Sequence, residues 1–395
     1  MKKVLIICSL YHPHVGGVET MITELSRFLL SRGIITNVLT KKWPSSLSEK
    51  DILKGTHIFR VISARKENEY FDIIRWLIKN EYKIKSDIIH VIGVRRPLPL
   101  IALLLSRRWK VPCISTITGS EIPLKDDKQS QLTWVEGKDT IPFVLENSDV
   151  VTCVSISLRD SLLKVVPKLR LCKIVYAGID LDYINSIPIP KINKNYIISL
   201  RRLIPSKGID LLIRAFKDIS IEYPTITLII AGDGSEKNKL IQLSKSLHIY
   251  NKVKFIGTVS LDKSISLLKG AICTIVPSLS EGGSLVNIEA QAALCPVIAS
   301  NVGGIPEYVQ DGISGLLFKS KDESDLVTKI RVMIDNPELR KNLIKGGVKH
   351  ARNFSWEKLG PQYLTLYSKT IDNMQNKPFK PWSDLSRNLW IKLNE

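Results

Sequence analysis

Ser278 to Gly304 reads SLSEGGSLVNIEAQAALCPVIASNVGG, and the apolar run AICTIVP leads straight into it. Glu281-Gly282-Gly283 makes a turn between that strand and a helix expected from about Ser284, whose hydroxyl is suited to capping the first-turn amides. Free amides and the helix dipole favour an anion at such a start, so the backbone from Ser284 through Leu285 to Val286 is expected to meet a phosphate. Glu281 lies in the turn and Glu289 about one turn into the helix, with seven residues between them. A carboxylate repels phosphate, so each is expected to accept hydrogen bonds from hydroxyls flanking it. A diphosphate with a polyol at each end, as in a nucleotide sugar, fits that arrangement. A plain strand-turn-helix with two solvated glutamates fits the spacing equally well.

A chain of 395 residues has room for two or three domains, each with its own core. Hydrophobic residues at 44% and charged residues at 24% are those of a soluble globular protein. MKKVLIICSL passes at once into the turn-like YHPHVGG and does not read as a signal peptide. The longest apolar run, LPLIALLL from Leu98 to Leu105, is too short to span a bilayer. A cytoplasmic protein is expected, at most peripheral on the inner face of the cell membrane. Six scattered cysteines without a CxxC pair read as buried free thiols. The formal net charge of +19 would draw nucleic acid, anionic lipid or an acidic substrate. Without a basic arm, interleaved aromatic residues or a nucleic-acid module, the sequence argues against nucleic acid and for an anionic membrane.

From the N-terminus, KKVLIICS (2–9) is a continuous apolar run of the kind found in buried parallel strands. The loop YHPHVGGVE follows, then a helix from Val18 to about Ser31 with apolar Met21, Ile22, Leu25, Phe28 and Leu29. Gly16 and Gly17 let the backbone approach a ligand at the strand's carboxyl end. Strands are expected at 35–40, 87–93, 112–118, 149–155 and 173–179 with helices between them, which means a parallel sheet covered on both faces. Residues 40–87 give too weak a pattern to assign. His12 and His14 match no metal spacing, and His90 reads as a satisfied core or surface histidine.

Around Asp180 the polar, proline-punctuated LDYINSIPIPKINKN reads as a linker over 181–195. NYIISLRRLIPSKGIDLLIRAF opens a second strand-helix series, in which Arg202 and Lys207 flank a turn before a helix near Gly208. Two cations there suit a diphosphate; two solvated basic residues are the plain alternative. Gly232-Asp233-Gly234 is too short for a dinucleotide fingerprint. FSWEKLGPQYLTLYSK (354–369) is an amphipathic helix, and the tail with Trp382 and Trp390 suits either a membrane interface or packing across domains.

SEGGSLVNIEA with PVIASNVGGIPEYVQDGISGLLF, and RRLIPSKGID, together resemble the signatures of retaining glycosyltransferases of family 4, with their Glu-x7-Glu motif. The resemblance covers roughly residues 2–370 and is most specific from Arg202 to Leu317. It implies an α/β GT-B fold: two Rossmann-like domains facing across a cleft, with a C-terminal helix returning to the first. The boundaries are then 1–185 for an acceptor domain, 190–355 for a nucleotide-sugar domain and 356–395 for the returning segment. It implies transfer of a hexosyl group, with retention, from a UDP- or GDP-sugar to a glycan, lipid-linked or small-molecule hydroxyl in polysaccharide or glycolipid synthesis. No cofactor and no metal is required. Arg202, Lys207 and Glu281 are the implied catalytic residues. Gly16, Gly17, Gly257, Gly282, Gly283, Ser284, Leu285, Val286 and Glu289 are implied to border the donor. His12, Glu19, Thr118 and Glu121 are implied to border the acceptor, Thr118 standing where the family often has histidine. A non-catalytic nucleotide-sugar-binding GT-B protein and a sugar-nucleotide epimerase are the alternatives.

Overall fold

The computed structural model describes residues 1–61, 68–95, 97–169, 171–190 and 195–375. The tail with Trp382 and Trp390 lies outside the described residues. The chain divides into two compact units, one of residues 1–124, 129–178 and 359–395, the other of 125–128 and 179–358.

The first unit holds strands β1 (Lys3–Ile7), β2 (Ile35–Lys41), β3 (Lys50–Leu53), β4 (Thr56–Val61), β5 (Ile88–Ile92), β6 (Cys113–Ile117), β7 (Val150–Cys153) and β8 (Cys172–Ile174). They form one sheet in the order β3-β4-β2-β1-β5-β6-β7-β8, with only β3 antiparallel to its neighbour. Helices α1 (Gly17–Ser31), α2 (Asn68–Ile84), α3 (Leu98–Trp109), α4 (Lys128–Gly137), α5 (Thr140–Asn147) and α6 (Ile156–Val165) connect them. A parallel strand flanked by helices is buried on both faces, which is why Val4 to Ile7 read as an unbroken apolar run and Ile88 to Ile92 as one interrupted only by the buried His90. The stretch without a legible pattern holds β3, β4 and α2. β3 is a four-residue edge strand, too short to show a period.

The second unit begins with α7 (Leu181–Ser186), capped by Asp180, whose carboxylate accepts from the Tyr183 amide at 2.7 Å. The expected linker is therefore helical at its start, and the two compact units divide between Gly178 and Ile179. The reason is local: an Asp N-cap can hold a short helix that composition marks only as polar. Strands β9 (Tyr196–Leu200), β10 (Thr227–Ala231), β11 (Val253–Gly257), β12 (Thr274–Val276), β13 (Val297–Ser300) and β14 (Leu316–Phe318) form an all-parallel sheet ordered β11-β10-β9-β12-β13-β14. Helices α8 (Ile209–Glu222), α9 (Lys237–Ser246), α10 (Leu261–Gly270), α11 (Leu285–Ala292), α12 (Ile305–Tyr308), α13 (Glu323–Asp335) and α14 (Pro337–Ala351) surround it. Phe216, Ile230, Ile275 and Ile298 are fully buried in its core.

α15 (Trp356–Gln375) starts in the second unit and from Leu359 belongs to the first, where Tyr363 donates to the Tyr176 carbonyl at 3.0 Å. No helix among the described residues is long and apolar enough to cross a membrane. All six cysteines are buried and free.

In each sheet the strand order reverses beside its opening strand, between β1 and β5 in the first unit and between β9 and β12 in the second. The loops that follow those strands diverge there, and open α/β sheets take their ligands at such points.

Candidate functional site

In the second unit the reversal brings together the loops after β9 and β12. The first carries Arg201 and Arg202, makes a short 3-10 turn over Pro205–Lys207 and passes through Gly208, at φ +61°, into α8. The second runs from Pro277 to Ser284. The Leu279 amide donates to the Ser206 carbonyl at 2.8 Å, tying the loops together. A Cβ on Gly208 would lie 2.1 Å from the Pro277 carbonyl oxygen, so only glycine permits this approach.

Three side chains converge on one carboxylate oxygen. Glu281 Oε2 accepts from Lys207 Nζ at 2.8 Å and from Ser278 Oγ at 3.1 Å, and lies 3.6 Å from Arg201 Nη1. Burial pushes the Lys207 ammonium and the Arg201 guanidinium down from their ordinary values, although Glu281 pulls both up. Burial pushes Glu281 up, but Lys207 and Arg201 outweigh it and hold the carboxyl below its usual range. Two cationic groups thus share one carboxylate, with exposed Arg202 adding a third positive field that acts on both. A site so short of negative charge suits an anion.

Ser284 departs from its expected role. It is the N-cap of α11, but its side chain makes no capping bond; its hydroxyl accepts from Arg201 Nη2 at 3.0 Å. The guanidinium is the stronger donor and takes the oxygen, so the first turn of α11, with Leu285 and Val286, is left without a side-chain cap. Glu289 is 9% exposed and close enough to Arg201 to raise its basicity. Gly282 and Gly283 lie in the loop beside Glu281. Gly257, at φ +71°, ends the edge strand β11 with β10 between it and β9, and it is not part of this cluster. Arg201 and the fully buried Asn287, neither of whose amide atoms is hydrogen bonded, were not singled out by the sequence. Two adjacent arginines at a strand end point to opposite sides, and only packing decides which is buried.

In the first unit, Gly16 is the N-cap of α1 and Gly17 its first residue. A Cβ on Gly16 would meet the Glu19 carboxylate at 2.6 Å, so Glu19 folds back over the turn. The His12 carbonyl accepts from Arg60 Nη2 at 2.7 Å, and the same buried guanidinium holds the Ser48 carbonyl and Asp51. Glu121, implied to border the acceptor, is fully buried and accepts from the Thr118 amide, the Gly119 amide and the Thr118 hydroxyl, the last at 2.7 Å. Its charge is spent closing its own turn, because those donors converge within three residues. His90 is a core histidine: Nδ1 meets the Tyr367 hydroxyl at 2.7 Å and Nε2 the Thr116 hydroxyl at 2.6 Å. Among the described residues no three His, Cys, Asp or Glu side chains are grouped as for a metal.

The family profile for glycosyl transferases group 1 matches residues 184–350, and that for Glycosyltransferase Family 4 matches residues 15–183. An uncharacterized glycosyltransferase of Methanocaldococcus jannaschii is 29% identical over 92% of this chain and 97% of its own length. A D-inositol 3-phosphate glycosyltransferase of Acidothermus cellulolyticus is 24% identical, covering 90% and 86%. Among solved structures, sucrose-phosphate synthase from Thermosynechococcus elongatus superposes with a TM-score of 0.78 at 18% identity, over 94% of this chain and all of that one. The Anabaena protein HepE in complex with UDP-glucose gives 0.75 at 17%, over 93% and 100%.

Proposed function

This chain belongs to the GT-B glycosyltransferases of group 1, and from that premise we propose that it transfers a hexosyl group, with retention, from a UDP- or GDP-sugar held by the second unit to a hydroxyl. The observation that carries the reading is the cluster of Arg201, Arg202 and Lys207 beside the uncapped start of α11. Breaking the anomeric bond leaves negative charge on the diphosphate, and fixed cations and helix amides around it lower the barrier. Lys207 and Arg202 are the catalytic cations, with Arg201 behind them. Glu281 accepts from the hydroxyls of the sugar and holds Lys207, while Glu289 accepts from the ribose. This chemistry routes no charge through a metal and asks for no cofactor.

The bound UDP-glucose of HepE supports a UDP-sugar first. Gly16 and Gly17 border the donor from the first unit, and His12, Glu19 and Thr118 frame the acceptor side. The exposed Ile78 and Tyr82 on α2, with exposed Lys79 and Lys85, support peripheral contact with an anionic membrane, as for an enzyme of polysaccharide or glycolipid synthesis in the cytoplasm. A non-catalytic nucleotide-sugar-binding protein is the second reading, favoured by Thr118, whose hydroxyl is committed to Glu121. A panel of UDP- and GDP-sugars tests both, with melting temperature and nucleotide release as readouts. One sugar nucleotide that stabilises the protein and is consumed supports the enzyme. Stabilisation without consumption, even with candidate acceptors, supports the binder, and a panel that stabilises nothing removes the donor site.

A further inference from the structure

The first unit has its own pair of cations, on either side of the loop that runs from β1 to Gly16 and Gly17. The sheet places β1 between β2 and β5, with Ile7 level with Leu39 on one side and Val91 on the other. Lys41 is the last residue of β2, and its amide donates to the Ser9 carbonyl at 3.3 Å, beside the end of β1. Arg95 stands three residues beyond β5, its amide bonded to the Gly93 carbonyl at 3.1 Å. Both cations therefore flank the loop that leaves β1, at the reversal of strand order.

Lys41 and Arg95 are half-buried, and neither makes an ion pair or side-chain hydrogen bond among the described residues. Burial pushes the Lys41 ammonium below its ordinary value, and Arg95 pushes it further. Two carboxylates of the unit are held by other partners, Asp51 by Arg60 and Glu121 by the Thr118 and Gly119 amides. Two like charges brought together and partly desolvated without a counterion are costly, and a bound anion removes that cost.

We infer that Lys41 and Arg95 hold a phosphate or carboxylate carried by the acceptor, so that the substrate class is an anionic hydroxyl compound. The assignment to an acceptor rests on the proposed function; the anion site itself does not.

The test is lysine acylation read by peptide mass spectrometry, with inorganic phosphate or malonate added against chloride at equal ionic strength. An anion within reach raises an ammonium pKa by about one unit, so acylation of Lys41 slows about tenfold. Exposed Lys254 is the internal reference. In an Arg95→Gln variant with unchanged melting temperature the protection is largely lost. Protection by phosphate alone assigns a phosphate group, and protection by malonate alone a carboxylate. Acylation of Lys41 unchanged by both overturns the site, whatever nucleotides do. UDP binding is measured on the same preparation: protected Lys41 in a protein that binds no nucleotide keeps the anion site and overturns its assignment to an acceptor. Reading Lys41 by itself keeps phosphate taken up beside Lys207 out of the result.

Discussion

Replacing Lys207 with alanine separates the catalytic from the structural part of the buried cluster. The ammonium sits 2.8 Å from Glu281, so its loss weakens an ion pair that burial makes strong. Glu281 is not stranded, because Arg201 remains 3.6 Å away and Ser278 still donates at 3.1 Å. The stability cost is therefore less than the roughly 3–5 kcal/mol of a fully orphaned buried charge. The kinetic cost is larger in consequence. Removing one preorganised donor from a developing oxyanion typically costs about 2.7–4 kcal/mol, which is about two to three decades in kcat. Nucleotide release at saturating donor is the assay, with urea unfolding of the same preparation as the control. A folded Lys207→Ala protein whose kcat is within about threefold of the parent refutes the role given to Lys207.

Acid titration checks the same cluster. Glu281 is depressed in the folded state, so its contribution is present above the ordinary carboxylate value of 4.5 and is lost as pH falls through the lower folded value. A Glu281→Gln variant should show a flatter fall in stability below that pH, measured by urea midpoints; an unchanged slope counts against the ion pair. His90 gives a second window. Burial lowers it from 6.5 to about 3, so the unfolded chain binds the extra proton between those values and stability falls as pH drops from 6.5. Between pH 7 and 4.5 the loss is about 2.5 kcal/mol, and His90→Gln should remove most of that slope. Gly208→Ala places a Cβ against the Pro277 carbonyl at positive φ, so it should cost about 1–3 kcal/mol in urea unfolding and weaken nucleotide binding. Unchanged binding would show that the two loops need not touch.

Much of this protein is written along the chain. Runs such as KVLII and YIISL are apolar at most positions because a parallel strand is buried on both faces, and that property survives in the sequence without any knowledge of neighbours. Glu281 and Glu289 are also legible, since their spacing across a turn and a helix start is local. The short edge strand β3 and the one-and-a-half-turn helix α7 are not, because four to six residues show no period and their stability comes from what they pair with.

What the sequence alone determined is the alternation of strand and helix, the two α/β units and the loops that carry cations and glycines, all properties of consecutive residues. The tertiary structure alone decided how those groups are used. It buried Arg201 and left Arg202 exposed, turned the Ser284 hydroxyl from its own helix to Arg201, and spent Glu121 on the Thr118 turn. It also set Lys41 and Arg95 at the ends of the two strands that flank β1. Each of these is a competition for a partner between segments distant in sequence or between donors of unequal strength, and its outcome depends on distance and burial that the order of residues does not encode.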